Sequence, residues 1–216
     1  TTVGEFWGEL RESAGSYGRP VREGQAKRIE LWSETRGMGP SLSRVASQYG
    51  VPVYASGGFP GVTATHAFAQ RVLASNLPTV FLHLGDYDPS GEAIYETIRD
   101  DVFAFVAGEV GIPRARELFS SERIGLTADQ VLEHGIETVP PKGSDSRTEG
   151  WEAKGHLDSA QLEAVDTDMI RSWAREAIEL HTDLDQMAAV REQGDEERQK
   201  IEDGLERLFS EFDEED

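Results

Sequence analysis

The sequence predicts an α/β protein, a mostly parallel β-sheet with helices on both faces and a helical extension at the carboxyl end. Three observations carry that expectation. The run 79–84 (TVFLHL) is apolar without alternation, the pattern of a strand buried on both faces inside a parallel sheet. Two shorter runs, 27–34 (KRIELWSE) and 51–55 (VPVYA), precede it, and each leads into a stretch of helical period. A strand–helix–strand–helix order makes βαβ units, whose crossovers place helices on the sheet faces.

The elements follow in chain order. Thr2 and Glu5 spell a capping box, after which Val3, Phe6, Trp7 and Leu10 fall on one helical face. A glycine-containing loop at 15–20 separates this helix from the strand 27–34, and residues 37–40 (GMGP) break that strand. Leu42, Val45, Ala46 and Tyr49 share a helical face that Gly50 terminates. The strand 51–55 enters the loop 56–61 (SGGFPG), and a helix carrying Ala67, Phe68, Val72 and Leu73 comes next. After the strand 79–84, Pro89 suits the first turn of a helix that reaches about residue 107. Residues 117–126 hold another strand around Leu118, Phe119 and Ile124, and Thr127 with Gln130 caps a short helix closed by Gly135.

Residues 139–156 have no apolar period and read as a long loop, a kind that is usually functional or disordered. A short strand is expected at 161–165, then a helix at 167–181 with Ile170, Trp173, Ala174, Ala177 and Ile178 inward. Beyond Asp183 the chain is a charged helical segment interrupted at Gly194 and Gly204. Ile201, Leu205, Leu208 and Phe212 share one of its faces, which needs something to pack on. The expected organisation is an N-terminal helix and linker (1–26), the α/β domain (27–181) and an acidic helical tail (182–216).

At 216 residues the chain can bury one good core with a small appendage. No apolar run approaches the roughly 20 residues of a membrane span, so no membrane partner is expected. The absence of cysteine excludes disulfides and thiolate metal sites. No signal-peptide pattern opens the chain, so the expected location is cytoplasmic, and the opening Thr-Thr reads as a trimmed domain. The formal net charge is −20, from 41 acidic and 21 basic residues. Nucleic-acid binding leaves a basic footprint, so this charge argues against the chain gripping a phosphate backbone unaided. A solubilising surface or an adaptation to high salt accounts for the excess.

Chemistry concentrates at 85–91 (GDYDPSG). Asp86 and Asp88 stand at the carboxyl end of the central strand, where open α/β sheets hold their ligands. Two carboxylates so close repel each other unless a cation lies between them, and a divalent metal is the obvious candidate. Three readings compete. D-x-D-x-S-G opens like an EF-hand calcium loop, but its twelfth position is Thr97 instead of glutamate, and a strand precedes it where a helix should stand. A haloacid dehalogenase-type phosphatase puts a nucleophilic aspartate in D-x-D-x-[TV] after the first strand of its domain. Here Ser90 departs from that pattern, and two βα units come first. The third reading adds Glu34, at the end of the strand 27–34, as a further carboxylate separated from the pair by one βα unit.

That order of glutamate and D-x-D resembles the Toprim domain, whose fold is Rossmann-like. Residues 56–65 (SGGFPGVTAT) resemble the G-[YF]-P-D-x-x-T-R loop of topoisomerase VI A subunits and their meiotic double-strand-break relatives, and 84–91 (LGDYDPSG) resembles their D-x-D-P-x-G. Residues 139–147 and 161–165 look like segments of bacterial and phage Toprim proteins related to that subunit. The similarity covers roughly residues 27–181. It implies Mg²⁺, with Mn²⁺ as a substitute, held by Glu34, Asp86 and Asp88, and nuclease or topoisomerase-type cleavage of DNA phosphodiester bonds.

Two departures bear on this. Gly61 stands where the family loop carries an aspartate. The relatives cut DNA with a tyrosine on a preceding winged-helix domain, and nothing before Lys27 is long enough to be one; Tyr17 lacks that context. DNA is therefore expected as a partner through a separate or removed winged-helix domain, and a homodimer is a further partner to consider.

Hard-cation chemistry agrees with the resemblance, because magnesium takes oxygen ligands and keeps several waters, so two or three carboxylates suffice. Glu34 can serve as a ligand or as a general acid/base. Arg36, Lys142 and Arg147 are candidates for DNA phosphate contacts, against the alternative of solvated or acid-paired cations. Glu163 and Gly91 are candidates for supporting the metal ligands from behind. His83 is expected to be a satisfied core histidine, and His66, His134, His156 and His181 show no paired metal spacing. Two other function classes compete: a non-catalytic acidic module that binds a protein partner or mimics DNA charge, and the phosphatase.

Overall fold

The capping box at the amino end forms as its residues require. Thr2 accepts the Glu5 amide while the Glu5 carboxylate takes the Thr2 amide at 2.7 Å, and α1 runs Val3–Gly15. β1 (Arg28–Ser33) leads through a 3₁₀ turn into α2 (Gly39–Ala46), so the 37–40 stretch lies past the strand's end and Pro40 stands in the first turn of a helix. Gly50, at φ 62°, closes that helical region before β2 (Val53–Ala55). α3 (Val62–Ser75), β3 (Thr79–Leu84), α4 (Pro89–Val110), α5 (Ile112–Leu118) and β4 (Phe119–Gly125) follow. α6 (Ala128–Glu133), α7 (Thr148–Ala153), α8 (Thr167–Leu180) and α9 (Leu184–Asp213) complete the order. The computed structural model describes residues 2–141, 146–156 and 158–213.

The sheet is four-stranded and all-parallel, in the order β2-β1-β3-β4. It belongs to a compact unit of residues Ala26–Thr182. Register aligns Leu31 with Leu82 and Ser33 with Leu84, so β1 and β3 end together. The chain passes from β1 to β2 on one side and then crosses to β3 on the other. The strand order therefore reverses between β1 and β3, the switch point at which such sheets leave a crevice.

Helices cover both faces. Trp32 and Phe81 point to a cluster with Phe68, Val72, Ile94, Ile98 and Val102 from α3 and α4. On the other face α2 and α8 pack together and against β2 and β4, burying Leu42, Val45, Ile170, Ala174 and Ile178. In α3 it is Ala69, not Ala67, that turns inward, because it shares the Thr65–Phe68–Val72 stripe. No helix among the described residues is long and apolar enough to cross a membrane.

A buried ion pair interrupts the apolar face. Glu30 is fully buried on β1, and Arg71 grips it with two hydrogen bonds of 2.7 and 2.8 Å. Arg28 lies 2.5 Å from the same carboxylate, and the Trp32 indole donates to it at 3.0 Å. A buried carboxylate is tolerated only with such compensation.

The N-terminal and C-terminal segments, expected as separate pieces, fall in one compact unit, Thr1–Gln25 with Asp183–Asp216. Trp7 meets Phe209 edge-on at 4.5 Å, and Arg19 clamps Glu197 through two 3.0 Å hydrogen bonds. The Gln25 side chain and the Asp183 backbone exchange hydrogen bonds of 2.7 and 2.8 Å. Here three expectations are corrected. α9 runs unbroken through Gly194 and Gly204. At Gly194 a side chain would stand 3.2 Å from the Arg19 amide, so that glycine permits close approach and does not interrupt the helix. Of the expected tail face Leu205 is only half-buried and Ile201 and Leu208 remain exposed, while Met187, Val190 and Phe209 are the buried apolar residues among the described part of the tail; the Phe212 side chain lies outside the described set.

Two loop expectations also change. The stretch 139–156 contains α7, anchored by buried Trp151. Residues 161–165 form a 3₁₀ turn instead of a strand; the extended residues are Ser159 and Ala160, which bridge to Val139 and Tyr87.

Arg71→Ala is expected to lower unfolding free energy by about 2–4 kcal/mol in urea titration, because it strips the main partner from a buried carboxylate.

Candidate functional site

The sheet itself brings Glu34 to the switch point. The Glu34 amide donates to Leu84 O at 2.8 Å and its carbonyl accepts from Gly57 at 2.9 Å, so it extends the ladder to both neighbours. Its side chain continues the Glu30–Trp32 column, opposite Gly85. A Cβ at Gly85 would stand 2.8 Å from Glu34 Oε2 and 2.7 Å from His83 Cε1, so only glycine leaves room for the carboxylate. Asp86 then donates its amide to Glu34 Oε2 at 3.2 Å.

Each aspartate is oriented by a backbone donor. Asp86 Oδ1 accepts from the Leu162 amide at 2.8 Å, which is why residues 161–165 turn instead of pairing as a strand. Asp88 caps α4, its Oδ1 accepting from Gly91 at 2.7 Å. A Cβ at Gly91 would collide with Asp86 O at 2.2 Å and approach Glu34 Oε2 at 3.1 Å. Gly91 therefore permits the first turn of α4 to close against the acidic loop.

Arg123, which the sequence reading passed over, lies beneath this loop. Half-buried on β4 opposite His83, it donates to Gly91 O at 2.8 Å, Gly85 O at 3.4 Å, Leu126 O at 3.3 Å, and Asp86 O. Burial lowers its pKa, opposed by the charges of Glu34, Glu92 and Asp88. A lone arginine in a strand-like SSERIG carries no motif, so only the sheet order could reveal it.

The cluster is electrostatically strained. Burial, then the charge of Asp86, pushes the Glu34 carboxyl up to about 7. Asp86 is raised as well, chiefly by burial and further by Asp88 and Glu163, against the Leu162 hydrogen bond. Glu163, exposed beside Leu162, thus adds a fourth carboxylate to the Asp86 side.

The remaining candidates divide. The exposed Arg36 packs over Gly57, where a Cβ would stand 2.4 Å from its Nε. Arg147 lies 5.0 Å from the centre of the Phe59 ring and donates to Ser90 Oγ at 3.4 Å, joining the Gly-Phe-Pro loop to the start of α4. Lys142 lies outside the described residues.

His83 is a core residue, but not a satisfied one. It is fully buried, and neither ring nitrogen has a hydrogen-bond partner among the described residues. Its neighbours are the rings of Phe81 and Tyr95, and burial, with the Arg123 charge, holds its pKa well below the usual value. Tyr87, between the aspartates, meets the rings of Trp151 and His156, and its hydroxyl lies 2.8 Å from His156 Nδ1. No periodic signal joins these three residues.

The donor chemistry fits a hard divalent cation. Among the described residues, Glu34, Asp86 and Asp88 each keep one carboxylate oxygen outside the backbone hydrogen bonds just given. As placed, no group of three or more His, Asp or Glu among the described residues closes to metal-holding distance. The chain is thus an α/β protein with a carboxylate cluster at its switch point. No protein-family model matches it, and no curated protein matches it.

Gly91→Ala should lower stability by about 1–3 kcal/mol in chemical denaturation, because the added methyl has rigid backbone to displace. A second expectation follows from Glu34. Between pH 4.5 and about 7 the folded chain holds a proton that the unfolded chain has released, so stability falls as pH rises through that window. Without divalent metal, Glu34→Gln should flatten this slope and raise stability at pH 8 by on the order of 2 kcal/mol, read from urea midpoints at several pH values.

Proposed function

We propose that this protein is a Toprim-type enzyme: Glu34, Asp86 and Asp88 hold Mg²⁺, or Mn²⁺ in its place, for cleavage of DNA phosphodiester bonds. The observation that carries the reading is the convergence of Glu34 with Asp86 across the β1/β3 switch point, in the order and at the strand ends that the motif resemblance implies. A carboxyl pushed up to about 7 among like charges supports it, since a bound cation would relieve that repulsion. When bound, the metal supplies charge neutralisation at a phosphodiester oxygen and acidifies its bound water.

The chain's own residues have separable tasks. Asp86 and Asp88 present oxygens whose direction is set by Leu162 and Gly91. Glu34 contributes an oxygen or exchanges a proton near neutral pH, the range in which a general acid/base works best. Arg123 holds the loop carbonyls in place. Arg36 and Arg147 bind backbone phosphates at the rim. With a net charge of −20, most of the grip on DNA falls to a partner, a winged-helix domain in this reading.

The test is nicking of supercoiled plasmid with Mg²⁺ or Mn²⁺, joined to calorimetry in buffers of different ionisation enthalpy. Expected are metal-dependent nicking that Asp86→Asn reduces at least ~100-fold, and proton release on Mg²⁺ binding near pH 6.5 that Glu34→Gln abolishes. Metal binding without nicking or DNA affinity would place the chain with the non-catalytic acidic modules. Phosphomonoester hydrolysis through a trapped aspartyl intermediate would place it with the phosphatases.

A further inference from the structure

We propose that the β2 edge of the sheet is the surface along which a DNA duplex lies, its phosphates meeting Arg36 and Arg44 beside α2. The placement rests on the DNA cleavage proposed above. It starts from an uneven distribution of charge. None of the chain's 41 acidic residues lies between Glu34 and Asp86, where an even spread would put several. That stretch supplies α2, β2 and α3, and β2 is the outer strand beside β1. α2 packs with α8 and α3 with α4, so the two helices flank the edge from opposite faces. An acid-free sequence thus becomes one acid-free side of the α/β unit.

Where carboxylates of other elements meet this side, they are already engaged. Glu30 is held by Arg71, Asp101 lies 3.4 Å from the Thr65 hydroxyl, and Glu179 takes the Tyr49 hydroxyl. Arg36 and Arg44 are both exposed, and neither makes an ion pair among the described residues. Arg99, Arg114, Arg171 and Arg198, by contrast, each hold a carboxylate. Ser43, Ser47 and Gln48 stand exposed around Arg44 and add neutral hydrogen-bonding groups, of the kind that position a phosphate backbone. α3 begins at Gly61 without a side-chain cap or an acid in its first turn, so its positive end adds to the same side.

Two unpaired arginines on a side without acids fit a polyanion, and their place makes that polyanion the substrate's own backbone. Arg36 follows Glu34 by two residues and packs over Gly57 at the mouth of the crevice, and Arg44 continues the line along α2. A duplex on this edge therefore runs directly into the carboxylate cluster. Fields of exposed charges fade over roughly 10 Å at about 0.1 M salt. The total of −20 thus does not bar a duplex from a side that holds no acid.

The test is fluorescence anisotropy of a labelled ~30-bp duplex with the full chain, Ca²⁺ replacing Mg²⁺, at salt concentrations around 0.1 M. Arg44→Glu with Gln48→Glu should raise Kd ~10-fold or more, and Arg44→Gln alone should lower the salt slope by about 1. Arg116→Glu with Ser120→Glu adds the same charge at the opposite, β4 edge and should change Kd less than ~2-fold. All four positions are exposed, and Arg44→Gln decides the matter if the double variant fails to fold. Duplex binding undetected up to ~100 µM, an unchanged Kd and salt slope in the α2 variants, or an equal loss in the β4-edge control would overturn the surface. If the parent nicks plasmid while giving any of those results, the cleavage function stands without this surface. Loss at α2 alone, in a protein that does not nick, keeps the surface and removes the cleavage function.

Discussion

The acidic loop depends on Arg123. Three carboxylates from two strand ends cannot share a crevice unless their backbone is held rigid and some charge is offset nearby. Arg123 does both from beneath, donating to carbonyls of the loop and of α4's first turn while its charge lies within reach of Glu34 and Asp88. Its position follows from the sheet order, since β4 must lie beside β3 for the side chain to reach under Gly85. The glycines at 85 and 91 are the steric counterpart. Both are places where any Cβ would displace backbone or carboxylate.

The site is therefore preorganised by neutral backbone groups more than by opposite charge. Leu162, Asp86 and Gly91 each give an amide to a different carboxylate, and each of those carboxylates keeps an oxygen turned elsewhere. Burial, joined by the remaining repulsion, raises the pKa of Glu34 and Asp86. A fold that stores unfavourable charge at the carboxyl ends of its strands is less stable than it would be with neutral side chains, which is a common signature of a functional position. The contrast with Glu30 is instructive. It stands two turns of the pleat earlier in the same column, more deeply buried, yet is fully compensated by Arg71, Arg28 and Trp32.

Much of the α/β architecture was legible before the structure. Unalternated apolar runs, capping boxes at Thr2 and Thr127, and glycine stops placed the main strands and helices with small boundary changes. Misreadings arose where local rules met tertiary demands. Residues 161–165 carry strand-like alternation, but the Leu162 amide is taken by Asp86 and the chain turns. Gly194 looks like a helix breaker, but it makes room for the backbone at Arg19. His83 was expected to find hydrogen-bond partners, and its neighbours proved to be aromatic rings.

By itself, the sequence determined which carboxylates could act together. Asp86 and Asp88 follow a buried strand, and Glu34 ends a strand one βα unit earlier, because parallel sheets send strand ends to one edge. Only the tertiary structure decided that β1 and β3 are neighbours, that Arg123 comes up from β4 to brace the loop, and that Leu162 arrives to orient Asp86. Those contacts join residues tens of positions apart. No period or spacing encodes them; they exist because close packing of the sheet and its helices leaves each side chain one place to go.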